Sequence, residues 1–113
     1  MPDLVEEYRE IAAKWESPLA FERLGWVLLE SQREAAARTA LNRAERMGRD
    51  SATIHYAQAF LDIRDNDLPK AMARLDRCLE LDPTMHEARA KLAEILMQLG
   101  RYEQARQVIK GGQ

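Results

Sequence analysis

The chain has 113 residues and a net charge of −2, the size of one domain, with no charge excess to draw it to nucleic acid or anionic lipid. Charged residues make up 32% of it, and no stretch approaches the roughly 18 apolar residues of a membrane helix, so neither nucleic-acid binding nor membrane insertion is expected. Ala, Leu, Glu and Arg dominate and prolines number four, which favours an all-α fold.

The single cysteine, Cys78, has no partner within the chain, so no oxidising compartment is implied. The opening residues Met1 to Glu7 are acidic and lack the apolar run of a signal peptide. The expected location is the cytoplasm.

In chain order, the first helix is predicted over Asp3 to Trp15. Asp3 is its cap, and Leu4, Tyr8, Ile11 and Trp15 share one face. Ser17-Pro18 opens a second helix that runs to about Ser31, with the proline in the first turn, where no N–H is needed. Within it Phe21, Leu24, Gly25 and Leu28 fall on one face. The third helix covers Glu34 to Met47, with Ala37, Leu41 and Ala44 at helical spacing, and Gly48 stops it. Asp50 and Ser51 start a fourth, to about Arg64. Asn66 suits a left-handed turn before a fifth over Leu68 to Leu81. After Asp82-Pro83, Thr84 and Glu87 have the spacing of a capping box for a sixth helix that ends at Gly100. Tyr102 to Lys110 is the seventh, followed by Gly111-Gly112.

A shift of 34 residues brings the sequence onto itself. Ala37, Ala71 and Ala105 coincide, as do Leu41, Leu75 and Ile109. The turn residues Gln32, Asn66 and Gly100 align, and so do the small residues Gly25, Ala59 and Ala93. Small residues at set places let helix backbones approach closely. Three hairpins at a fixed period imply stacking, because one hairpin cannot bury its own apolar face.

This pattern resembles the tetratricopeptide repeat family, whose motif runs aromatic, Leu, Gly/Ala, large apolar, then Ala, large apolar, Ala and Pro. Phe21, Leu24, Gly25, Leu28, Ala37, Leu41 and Ala44 fit it, with Arg49 in place of the proline. The third copy supplies Leu92, Ala93, Leu96, Gly100, Tyr102, Ala105 and Ile109, and the middle copy Ala59, Ala71, Leu75, Cys78 and Pro83. The resemblance implies a right-handed α-solenoid: an N-terminal packing helix (1–17), then repeats over 18–51, 52–85 and 86–113. It implies partner binding and no chemistry.

Two places depart from the family pattern. In the middle copy His55, Gln58 and Asp62 stand where the family has aromatic, Leu and aromatic, and an apolar stripe of Tyr56, Ala59, Phe60 and Ile63 lies one residue later. After the seventh helix, no polar-faced closing helix follows in this sequence.

The family's groove positions map onto Glu22, Trp26, Leu29 and Glu30 of the first copy. They map onto Thr53, Tyr56, Phe60, Ile63 and Arg64 of the second, and onto Glu87, Ala90, Glu94, Met97 and Gln98 of the third. These would form an apolar floor with an acidic rim, fit for an apolar helix or extended peptide. The competing reading rotates the fourth helix, so that Tyr56, Phe60 and Ile63 are core. The family's carboxylate-clamp positions fall on Glu22, Trp26, Ala57, Glu87 and Lys91, where only Lys91 suits the task, which argues against an acidic peptide tail.

Self-association is the alternative function: Ile95, Leu99, Tyr102 and Ile109 would give the seventh-helix end an apolar surface for a second copy, and the first helix could exchange between chains. His55 and His86 lack metal-ligand spacing with Cys78. Asp62, Asp65 and Asp67 lack the Gly and Glu of a calcium loop. Cys78 reads as an inert core thiol. Arg33, Arg38, Arg43, Arg46 and Arg49 read as a solvated face paired with Glu34 and Glu45. His55 and Asp62 share a helix face without a nucleophile nearby, so an enzyme is not expected and no cofactor or metal is implied.

Overall fold

The protein is described by a computed structural model covering residues 3–112. Met1, Pro2 and Gln113, which the sequence reading included in the N-terminal segment and the last repeat, lie outside the described residues.

Seven helices follow one another: α1 Leu4–Trp15, α2 Pro18–Glu30, α3 Glu34–Arg46, α4 Ala52–Arg64, α5 Leu68–Leu81, α6 His86–Gln98 and α7 Tyr102–Lys110. Local chemistry sets most of these boundaries. The Asp3 carboxylate accepts from the Val5 N–H, Ser17 Oγ from Ala20, Ser51 Oγ from Ile54 and Asp67 from Lys70, so four helices start on a side-chain cap. Thr84 does not cap α6 as expected. Its hydroxyl turns back to Asp82 Oδ1 at 2.6 Å, and Met85 takes the cap position without a side-chain bond.

The turns inside the hairpins are the same structure three times. Gln32, Asn66 and Gly100 have φ of 61°, 60° and 75°. The next N–H, of Arg33, Asp67 and Arg101, returns to the carbonyl of Leu28, Asp62 and Leu96 at 2.9, 2.8 and 2.8 Å. That bond pattern, together with one left-handed residue, closes a helix by satisfying its last carbonyls. Each pair α2–α3, α4–α5 and α6–α7 is therefore an antiparallel hairpin, and α1 packs on α2. The stack is elongated, 48 × 27 × 23 Å.

Small residues sit where the period places them. Ala37, Ala71 and Ala105 are buried, and so are Ala59 and Ala93. Gly25 meets Leu41 so closely that a Cβ there would lie 2.6 Å from Leu41 Cγ. Leu41 and Leu75 are fully buried, but Ile109, at the same place in the last hairpin, is 48% exposed, since no further helix of the described chain covers α7. The first helix also differs from expectation. Val5 and Ala12 are its buried residues and Tyr8 is half-buried, while Leu4, Ile11 and Trp15 are exposed. The helix turns its small residues inward because they allow the closest approach to α2.

The apolar core is in two parts. One gathers Val5, Leu24, Leu28, Leu41, Ile54 and Leu61, from α1 to α4. The other gathers Leu75, Cys78, Leu92, Ile95 and Leu96, from α5 and α6, with Ala59 and Ala105 from the flanking helices. Between them α4 presents buried polar groups. His55, Gln58 and Asp62 keep the core-facing register of the period, at 8%, 0% and 4% exposure. The helix carries polar side chains into the core, and of the stripe that the competing reading made core, Tyr56 and Ile63 pack partly on the second cluster while Phe60 is exposed.

Candidate functional site

The polar side chains of α4 are held by its neighbours. Gln58 accepts from Arg38 Nη1 at 2.8 Å and donates to Asn42 Oδ1 at 2.8 Å and Glu45 Oε1 at 3.2 Å. Arg38 Nη2 donates to Asp62 at 3.0 Å and reaches Asp65 at 3.2 Å. Glu45 also takes two bonds from Arg74, whose Nη1 lies 2.9 Å from His55 Nδ1. An arginine can only donate, so Nδ1 accepts and the imidazole proton sits on Nε2, 2.6 Å from Asp50 Oδ1. Asp50 is paired with Arg77 as well, and these two partners, Arg77 first, hold its carboxyl below the usual range. Buried polar groups with full sets of partners order a core without offering a free reactive group. His55 and Asp62 are thus structural members of one network.

Several side groups take different partners from those expected. Arg38 bonds across to α4, Glu34 pairs with Arg64 at 2.7 Å, and Glu45 pairs with Arg74 at 2.6 Å. These ion pairs join helices rather than decorate one helix. Cys78 is fully buried, its thiol donates to the Ala52 carbonyl, and burial pushes its pKa up to about 12. Among the described residues no group of three His, Cys, Asp or Glu side chains is arranged to hold a metal.

With His55, Gln58 and Asp62 buried on one side of α4, its apolar stripe divides: Ala59 is buried in the second core cluster, Tyr56 and Ile63 pack partly against it, and Phe60 is exposed. Tyr56 and Phe60 turn to an open cavity of about 880 Å³ between α2 and α4, which α1 and the start of α6 border. Trp26 and Leu29 of α2 line the same cavity, joined by Tyr8, Val27 and Met85. The Trp26 and Tyr56 rings lie 6.2 Å apart at 34°. The Trp26 indole donates to Glu30 Oε1 at 2.7 Å, which restrains the ring at the cavity wall. Glu22, Arg23, Glu30, Thr53 and Glu87 supply the polar margin.

Of the groove residues read from the sequence, the cavity brings together Glu22, Trp26, Leu29, Glu30, Thr53, Tyr56, Phe60 and Glu87, and not Arg64, Ala90 or Gln98. Glu22 is not a free rim acid. It is 6% exposed and accepts from Arg49 Nε at 2.9 Å and from Ser51, tying α2 to the start of α4. Ile63 is half-buried against the second core cluster, in a small separate hollow beside Leu75 and Lys91. Glu94 and Met97 are exposed but outside the cavity. Lys91, the one residue that suited a carboxylate clamp, is 3.4 Å from Glu94, and Ala57 is buried. Tyr8 and Met85 were not among the expected lining residues. Tyr8 belonged to the apolar pattern of α1, so its direction was the missing information; Met85 lies in a loop, where no periodicity points.

The surface proposed for self-association is also revised. Ile95 is 2% exposed and belongs to the second core cluster, which draws on α4 to α7. Leu99, Tyr102 and Ile109 are exposed.

Stacked helical hairpins with a lined groove define a helical-repeat protein. The family model for the tetratricopeptide repeat matches residues 62–113, just under half of the chain, so that segment is similar to the family. No curated protein matches the chain. Repeats of this family generally mediate contacts between proteins. No helix of the described residues is long and apolar enough to cross a membrane.

Proposed function

We propose that this chain is a non-enzymatic adaptor, chaperone-like in that it takes an apolar helix or extended peptide into the cavity between α2 and α4. The observation that carries the reading is the set Trp26, Leu29, Tyr56 and Phe60. All four line one concave space and none is fully buried. Large apolar side chains around a cavity of this size suit the anchor residues of a peptide. The same reading treats residues 18–51, 52–85 and 86–113 as three copies of the repeat, on the strength of three identical turns. A cytoplasmic location is part of the proposal.

The test is calorimetric titration with peptides selected from a displayed library against the full chain. Leu29→Ala and Tyr56→Ser each remove an anchor contact, with an expected loss near 2 kcal/mol, about thirtyfold in Kd. Selected peptides that bind both variants as tightly as the parent would remove the groove from the account.

Self-association is a second reading. The exposed Leu99, Tyr102 and Ile109 favour it, as they form an apolar surface at one end of the stack.

A further inference from the structure

The two ends of the stack carry matching features. At one end α1 exposes Leu4, Ile11 and Trp15, at 56%, 45% and 67%, along a single helix face. At the other, α7 exposes Tyr102 and Ile109, at 66% and 48%, two turns apart on one face. Each is a set of large apolar side chains left in solvent on the flank of its helix, about 70–80° of rotation from the face by which α1 packs on α2 and α7 on α6.

The charges beside the stripes have opposite signs. From Asp3 to Glu16 there are five acids, all exposed, against Arg9 and Lys14. From Arg101 to Lys110 there are three bases, all exposed, against Glu103. Arg9 is taken up by Glu6 and Arg106 by Glu103 within their own helices, at 3.2 and 3.5 Å. Glu7 sits one turn before Ile11, and Arg101 and Lys110 directly precede Tyr102 and follow Ile109, so each stripe is flanked by charge of its own end's sign.

A stripe set against its own kind would bring like charges together; a stripe set against the other would bring opposite charges together. A two-fold pairing of identical ends is therefore disfavoured, and a contact between unlike ends is favoured. We propose that copies of this chain associate head to tail, the α1 stripe of one seated on the α7 stripe of the next. The contact is heterologous, so it repeats and builds chains of copies, with each groove left open along the side. This rests on the self-association reading and is independent of what occupies the groove.

Sedimentation velocity on the full chain over a range of concentrations tests it with two variants at exposed sites. One carries Ile11→Ser with Trp15→Ser, the other Tyr102→Ser with Ile109→Ser. The parent should grow past the dimer as concentration rises, and less so at high salt. Each variant alone should lose association about tenfold or more. An equal mixture of the two should form a 1:1 dimer and stop there, because only one sound interface remains. A parent that stays monomeric throughout refutes the self-association reading itself. Association that survives in either variant alone, or a mixture that fails to pair, refutes the head-to-tail geometry while leaving self-association standing.

Discussion

Removing Arg38 should expose how the buried polar layer is held. Its guanidinium bonds to Gln58 and to Asp62, which are 0% and 4% exposed, and reaches the exposed Asp65. Arg38→Ala leaves the Gln58 carbonyl oxygen and a buried carboxylate without that partner. An unsatisfied buried polar group costs about 1–3 kcal/mol, and a broken buried pair about 3–5. The Arg38 side chain is 31% exposed, so water can replace part of what is lost. The net expectation is about 2–3 kcal/mol, a fall in Tm of roughly 10 °C for a domain of this size. Replacing the group as a whole should behave differently. Arg38→Met with Gln58→Leu and Asp62→Leu returns α4 to the apolar pattern and strands no buried charge. Its stability should lie within about 1 kcal/mol of the parent. Urea unfolding followed by circular dichroism measures both. An Arg38→Ala loss under about 0.5 kcal/mol, or a triple variant as unstable as Arg38→Ala, refutes the view that the layer is held by mutual satisfaction.

Three further outcomes follow from single sites. Gly25→Ala should destabilise by about 1–2 kcal/mol in the same assay, since crowding against Leu41 outweighs the roughly 1 kcal/mol of helix propensity gained. Gln32→Gly should stabilise by about 1 kcal/mol, because φ of 61° strains a residue with a side chain, whereas Gly100 holds the same place in the third hairpin. Asp50→Asn should flatten the acid side of the stability–pH curve. The carboxyl's folded pKa is lowered by Arg77 and His55, so its contribution is present above the ordinary Asp value and lost as pH falls through the lowered one. Unchanged acid unfolding in that variant would assign the pairing no role.

Much of the fold was legible because its signals are local. Ser17-Pro18, Gly48 and Asn66 act within a few residues of themselves, and the helices begin and end beside them. The 34-residue period carried the hairpins. What the pattern could not deliver was direction where two faces compete. Leu4, Ile11 and Trp15 look like a packing face, yet Val5 and Ala12 make the contact, because close helix approach favours small side chains over large ones. His55, Gln58 and Asp62 look like a break in the apolar face. Their partners Arg38, Asn42, Glu45 and Arg74 lie on other helices, and only tertiary structure brings them to one place. Tyr56 packs partly on the second core cluster and still borders the cavity with Phe60, so the candidate site was half readable: its residues could be named, but not how far each turns toward it. Ile95 failed for the opposite reason, as an apolar residue of the last hairpin that is buried in the core shared by α4 to α7.

The central claim is that the cavity between α2 and α4 takes a peptide. Its most direct measurement is the emission of Trp26, in a chain where Trp15→Phe removes the other indole, during titration with a peptide selected for binding. Trp26 lines the cavity and is half-buried, so saturable binding should shift its emission at the same midpoint that calorimetry gives. Calorimetric binding with no change in Trp26 emission, and no loss of affinity in Trp26→Ala, would place the partner elsewhere and contradict the account.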